Sequence, residues 1–178
     1  MGDPIKPSDE RHQWLEKHSS EITRPIVDSF LAQLTKEKSP KSFFGIGYCF
    51  GAKYCIQNLA KDGYFTAGAI AHPSLVSVEE VEAVTKPVLI SAAETDKSFT
   101  EELRNKTIQI LAAENIRYQL DLFLSVSHGF AVKGDLSIPE VKYAKEKVLI
   151  DQAYFFSQFY NASNGVNVQK DSIHGNRL

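Results

Sequence analysis

The sequence predicts an α/β domain, a three-layer α/β/α sandwich around a mainly parallel sheet, and three observations predict it. Four short apolar runs, Phe43 to Gly47, Ala67 to Ala71, Val88 to Ala93 and Tyr118 to Leu124, have the length and composition of buried strands. Segments with helical periodicity separate them, the alternation that joins parallel strands through right-handed crossovers. The chain has 178 residues, 43% of them hydrophobic, which suits one domain with a real core.

Taken in order, Ser8 to His18 has the pattern of a short helix. A second follows, in which Ile22, Ile26, Val27, Phe30, Leu31 and Leu34 share a face and Ser19 or Ser20 caps the start. The polar run Lys36 to Ser42, broken by Pro40, opens onto the first strand. Three later helices carry capping-box spacing, in which a hydroxyl and a carboxylate satisfy orphan N–H groups reciprocally: Ser77 with Glu80, Ser98 with Glu101, and Ser137 with Glu140. The last of these helices has Pro139 in its first turn and places Val141, Ala144, Val148, Ala153 and Phe156 on one side, so it is expected to pack across the sheet. The domain is expected to span residues 1–160. From Asn161 to Leu178 the chain is polar, with too little apolar area to offset the entropy of ordering it, and is expected to be a disordered tail.

Bulk properties narrow the function. A formal net charge of -2, with cations and anions interleaved, provides no positive field for a phosphate backbone, so no nucleic-acid partner is expected. No apolar run approaches the length of a membrane span, and the first ten residues lack the pattern of a secretory leader. Cys49 and Cys55 are too few and too close for a disulfide framework and lack metal or redox spacing. A reducing, cytoplasmic setting fits them. No cluster has metal-ligand spacing and no loop is built to cradle phosphate, so no cofactor is implied.

The stretch from Gly45 to Lys53 carries the chemistry. There a strand runs through G-x-C-x-G, Gly47-Tyr48-Cys49-Phe50-Gly51, into a helical segment. This is the form of a nucleophile elbow with sulfur in place of oxygen. The turn is strained, and Gly47 and Gly51 are expected to remove side chains that would collide with neighbouring backbone. The same turn presents the Phe50 N–H toward a reacting carbonyl oxygen and sets the sulfur near the positive end of a helix. A bare G-x-C-x-G fits a small buried cysteine in a glycine-rich turn about as well. Cys55, without flanking glycines, reads as structural.

A thiol nucleophile needs a base, and the base needs an orienting acid. After the third strand comes Glu94-Thr95-Asp96, where Asp96 is the candidate acid and Glu94 its competitor. After the fourth comes Ser125-Val126-Ser127-His128-Gly129-Phe130, a loop in which His128 can turn back over the elbow while Gly129 permits close approach. The order nucleophile, acid, histidine at three successive strand ends is hard to obtain by chance. His12, His18 and His174 read as solvated. His72, at the end of the second strand, could line the pocket or serve as a turn residue held by local hydrogen bonds.

With these residues in view, Gly47-Tyr48-Cys49-Phe50-Gly51, Ala92-Ala93-Glu94-Thr95-Asp96 and Ser127-His128-Gly129-Phe130 resemble dienelactone hydrolases, especially their fungal branch. The resemblance covers most of Phe43 to Tyr160. It implies the α/β-hydrolase fold, with Cys49 as nucleophile, His128 as base and Asp96 as its orienter, and it decides for Asp96 over Glu94. It also implies cleavage of small esters or lactones through an acyl-thioester, with Phe50 supplying an oxyanion N–H. Tyr48, His72, Phe130 and Lys133 are the candidate pocket residues. Bacterial members grip a substrate carboxylate with an arginine shortly after the histidine; Lys133 stands one place further on here and lacks the planar fork. In the family, further strands, a glutamate that interacts with the cysteine and a second oxyanion N–H precede the elbow, whereas residues 1–42 read as helices here. The first strand is therefore expected to present an open apolar edge, which a homodimer partner or a strand from another chain would cover. That opens a second functional class, a catalytically impaired remnant acting through association. Oxidant sensing by an accessible low-pKa thiolate at Cys49 is a third.

Overall fold

A computed structural model describes residues 8–163. The described residues form two compact units, divided between Pro40 and Lys41. In the first, helix α1 spans Ser8–Lys17 and α2 spans Ser20–Lys38. Ser19 occupies the N-cap of α2 with extended backbone, as expected, but its side chain makes no capping bond. Of the predicted apolar face of α2, Leu31 is buried, while Ile22, Ile26 and Phe30 are exposed.

The second unit runs β1 (Phe44–Tyr48), α3 (Phe50–Gln57), β2 (Ala67–Ala71), α4 (Val78–Glu82), β3 (Val88–Thr95), α5 (Glu101–Ala113), β4 (Tyr118–Ser127), α6 (Phe130–Lys133) and α7 (Pro139–Ser163). The four strands are parallel and lie in the order β1-β2-β3-β4. One face of the sheet packs through Ile70, Val88, Ile90 and Ala92 against Ala52, Cys55, Ile56, Val81 and Leu111 of α3, α4 and α5. The other packs through small residues, Ala67, Ala69, Ala71 and Ala93, with Leu89, which let α7 lie close with Val141, Ala144, Val148 and Phe155. This is the expected three-layer sandwich: β2 is buried at all five positions, as a strand covered on both faces must be.

Several local expectations are corrected. β1 is the edge strand expected from the helical reading of residues 1–42, with β2 as its single strand neighbour among the described residues, but it is less buried than its apolar run suggested: Ile46 is 51% exposed. The capping box at Ser77 and Glu80 forms, but the one at Ser98 and Glu101 does not, because Asp96 accepts the Ser98 N–H and Thr100 caps α5 instead, accepting from the Leu103 N–H. Ser137 likewise turns to Asp135, donating both its N–H and its hydroxyl to that carboxylate, rather than capping α7 with Glu140. On α7 the buried stripe continues through Gln152 and Phe155, so Ala153 is exposed and Phe156 half-buried. The phase follows i, i+3, i+4 spacing from Val148, and the polar Gln152 is admitted because its amide oxygen accepts the Tyr48 hydroxyl at 2.7 Å. Helix α7 carries on through Ser163, past the expected start of the tail; residues 164–178 lie outside the described residues.

Candidate active site

Three strand ends converge at the carboxyl edge of the sheet, where ligands of open parallel sheets bind. At the end of β1, Cys49 sits between strand and α3 with φ 50° and ψ −116°, a sparsely populated conformation for a residue with a Cβ. The surroundings hold it there: its N–H donates to the Ala71 carbonyl at 3.2 Å, and its carbonyl accepts from the N–H groups of Ser74 and Ala52 at 3.1 Å each. Gly47 is required as expected, since a Cβ there would lie 2.6 Å from the Gly51 carbonyl oxygen and 2.7 Å from the Ala52 Cα. Gly51 is not, because a Cβ there would meet nothing within 4 Å. Phe50 opens α3 directly after the cysteine.

The acid is positioned by a register change between β3 and β4. Ala93 pairs with Phe123 but Thr95 with Ser127, so β4 advances by four residues, from 123 to 127, where β3 advances by two, from 93 to 95. Ser125 adopts φ 63° within this irregularity, and its N–H donates to Glu94 at 2.7 Å. The strand thus continues through Ser125, Val126 and Ser127, which the sequence had suggested as loop, because the bulge lets Val126 bury its side chain. The His128 N–H then donates to the Thr95 carbonyl at 3.0 Å, which brings the imidazole beside Asp96 rather than Glu94. Gly129 follows with φ 92°; no atom crowds a Cβ there, so the glycine is needed for its backbone angle and not for close approach.

The resulting chain of contacts is continuous. His128 Nε2 lies 3.3 Å from Cys49 Sγ, and His128 Nδ1 lies 2.8 Å from Asp96 Oδ2. The other Asp96 oxygen accepts the Ser98 and Phe99 N–H groups at 2.7 and 3.0 Å. Burial pushes the Asp96 carboxyl up, but the hydrogen bonds from His128, Phe99 and Ser98 outweigh it and hold the group below its ordinary value. Asp96 in turn, followed by Cys49, raises His128 to about 9. Cys49 falls to about 5, through its hydrogen bond to His128 first and the nearby His72 ring second, with a smaller contribution from Ser74. At neutral pH the pair is therefore thiolate and imidazolium. Cys55, by contrast, is pushed up to about 12 by burial.

The expected pocket residues divide. Phe130 and Lys133 line a cavity of about 270 Å³ together with His128, Ser127, Ile138 and Val141. Tyr48 and His72 do not line it. Tyr48 stacks on His72 at 5.9 Å and ties its hydroxyl to Gln152. His72 is fully buried behind the thiol, edge-on to His128 at 5.1 Å and to Phe130 at 5.5 Å. Sequence reasoning missed Ser74, whose hydroxyl lies 3.5 Å from Cys49 Sγ and 3.3 Å from His128 Nε2. Its position just past the end of β2, the strand beside the elbow, was the available signal.

Comparison with known proteins bears on the family and the fold. Hydrolase pyvD of Aspergillus violaceofuscus is 34% identical over 163 residues, covering 89% of this chain and 66% of its own. Dienlactone hydrolase 1 of Gibberella moniliformis is 39% identical over 137 residues, covering 75% and 52%. The chain thus spans about half to two thirds of the length of these relatives. The crystal structure of MGS-M1, an alpha/beta hydrolase enzyme from a Medee basin deep-sea metagenome library, matches with a TM-score of 0.55 at 15% identity, over 79% of this chain and 65% of that one, which is a likeness of fold. The model of the Dienelactone hydrolase family matches residues 2–160, a span that takes in the elbow, the acid-bearing strand end and the histidine, and on that match the chain belongs to the dienelactone hydrolase family.

Proposed function

We propose that the protein hydrolyses small esters or lactones with Cys49 as nucleophile, His128 as general acid and base, and Asp96 as the group that orients and charges the imidazole. The observation that carries this reading is the unbroken contact from Cys49 Sγ through the His128 ring to Asp96, at 3.3 and 2.8 Å. A carboxylate held by two backbone N–H groups on one oxygen and by an imidazole on the other is fixed in orientation, so His128 presents Nε2, and only Nε2, to the sulfur.

The chemistry follows from that pair. The Cys49 thiolate attacks the acyl carbon, and the oxyanion that develops is stabilised by the Phe50 N–H at the start of α3. Collapse of the tetrahedral species breaks the C–O bond, and the leaving alkoxide or enolate takes the proton from His128 Nε2. The acyl group is then a thioester on Cys49. Water attacks it while the now neutral His128 accepts the water proton, and expulsion of the thiolate releases the acid and restores the ion pair. Ser74, within reach of both reacting atoms, is suited to hold the sulfur and the ring in register. The cavity beside His128 mixes apolar walls, Phe130, Ile138 and Val141, with polar ones, Ser127, Lys133 and Asp135, a lining that suits a compact substrate with both apolar and polar parts. The proposal includes a reducing, cytoplasmic setting, which an accessible thiolate requires to persist; among the described residues no helix is long and apolar enough to cross a membrane.

The test is ester cleavage by the full chain, using a p-nitrophenyl ester and an enol-lactone. Activity should follow a bell-shaped pH profile, rising as Cys49 ionises near about 5 and falling as His128 loses its proton near about 9. Turnover that survives Cys49→Ala would overturn the proposal. A second reading, action through association, is favoured by one observation, the open edge of β1 with Ile46 half exposed. Light scattering separates the two: an inactive chain that dimerises and becomes monomeric on Ile46→Lys supports association over catalysis.

A further inference from the structure

His72 is the group the proposed reaction leaves without work. Its side chain is completely buried, yet neither ring nitrogen has a hydrogen-bond partner, an arrangement that is costly in a folded protein. The residue also adopts φ 37° at the end of β2, where its N–H donates to the Ser91 carbonyl at 2.9 Å, so the ring is held in the site by the main chain. It stands close enough to the sulfur to help lower the Cys49 thiol, while lacking the alignment of a hydrogen bond. A buried imidazole facing a thiolate and a second imidazole is a set of electron-pair donors, and the donor atoms of Cys49, His72 and His128 all lie within 4.8 Å of one another.

We propose that Cys49, His72 and His128 form a three-ligand site for Zn²⁺ that reversibly takes the nucleophile out of service. Thiolate sulfur and imidazole nitrogen are the ligands zinc prefers, and three protein ligands with one open position is the pattern of accessible tetrahedral sites. With Zn–S of about 2.3 Å and Zn–N of about 2.0 to 2.1 Å, donors at tetrahedral angles stand roughly 3.3 to 3.6 Å apart. The Cys49 and His128 donors, at 3.3 Å, are within a few tenths of an ångström of the sulfur–nitrogen spacing. Even the widest spacing exceeds that range by roughly 1 Å, within the reach of small side-chain rotations.

The outer groups fit the same reading. His128 donates through Nδ1 to Asp96, which leaves Nε2 as the ligating nitrogen, the carboxylate–histidine–metal order that fixes tautomer and ring plane. His128 keeps 29% of its side chain exposed, so an ion has an approach on that side, whereas His72 closes the inner side. On binding, sulfur coordinates as thiolate and both rings as neutral imidazoles. The proton on His128 Nε2 therefore leaves for solvent, and no redox partner is needed. The site rests on donor geometry and not on the hydrolase reading, so it is measured without substrate.

Zn²⁺ is titrated by calorimetry into the full chain, reduced and kept anaerobic, with Co²⁺ as a spectroscopic probe. One ion per chain should bind, Co²⁺ should give a thiolate-to-metal charge-transfer band, and Zn²⁺ should protect Cys49 from iodoacetamide until a chelator removes it. Cys55→Ala should bind as the parent does. His72→Gln, its fold verified by circular dichroism, should weaken Zn²⁺ on the order of 100-fold, and Asp96→Asn by about 10- to 100-fold. Because His72 is buried and its variant could misfold, Cys49→Ala, at a half-exposed position, gives the independent check by abolishing the charge-transfer band. Absence of Zn²⁺ binding, unchanged affinity in folded His72→Gln, or alkylation of Cys49 at the same rate with zinc bound would each overturn the assignment.

Discussion

Cys49 and Cys55 belong to one stretch of chain, the first capping α3 and the second inside it, yet their thiols diverge in opposite directions. Cys55 is 3% exposed, set between the Gly45 and Ala69 carbonyls among Ala52, Ile56 and Leu59, and burial drives it up to about 12. Cys49 meets His128, His72 and Ser74 at the sheet's carboxyl edge and falls to about 5. Residue type and local helix are shared. What separates them is whether the sulfur points under the strands, where only apolar groups and acceptors face it, or off their ends, where neighbouring strands deliver donors.

Removing each sulfur in turn gives the largest expected effect. Cys49→Ala should lower ester turnover by at least about 10³-fold, whereas Cys55→Ala should leave it within a few-fold, as judged by initial rates on folded protein. Comparable losses from the two variants would mean that the contrast in surroundings has no chemical consequence. Next comes the acid. Asp96→Asn leaves the shape but misorients and discharges the imidazole, so kcat should fall on the order of 10² to 10⁴-fold and the Cys49 ionisation should move up in pH. Glu94→Gln touches only the Ser125 N–H and should cost less than about tenfold, read from the same assay.

The glycines flanking Cys49 sharpen the contrast at a smaller scale. Gly47→Ala forces a Cβ against backbone and should destabilise the protein by about 1 to 3 kcal/mol in urea unfolding. Gly51→Ala has open space within α3 and should be neutral or stabilising by up to about 1 kcal/mol. Smallest of all, Tyr48→Phe leaves the Gln152 amide oxygen without its donor and should cost roughly 1 kcal/mol by the same unfolding measurement.

How much of this was legible in the sequence follows from the range of the interactions. The four strands and the elbow were, because apolar runs and G-x-C-x-G report local demands on burial and backbone. Asp96 was separable from Glu94 only by resemblance, since the deciding fact is the β3–β4 register change, which no local pattern encodes. The cap of α5 was misplaced for a related reason: Asp96, oriented by its role beside His128, takes the Ser98 N–H that a local capping box would have used. The phase of α7 was read one residue late at its C-terminal half because Gln152 is polar, and only its distant partner Tyr48 makes it a core residue. For Ser74 the sequence offered only its place just past β2, and its contact with Cys49, like the unpaired state of His72, follows from the placing of β2 beside β1.

If Cys49 rests as a thiolate held by His128, competitive alkylation across pH reads that state out at the sulfur itself. Iodoacetamide labelling of the full chain, quantified at each cysteine by mass spectrometry, should modify Cys49 with a midpoint near about 5, while Cys55 stays unreactive through neutral and mildly alkaline pH. Labelling of the two at similar rates, or a Cys49 midpoint at the ordinary thiol value, would contradict it.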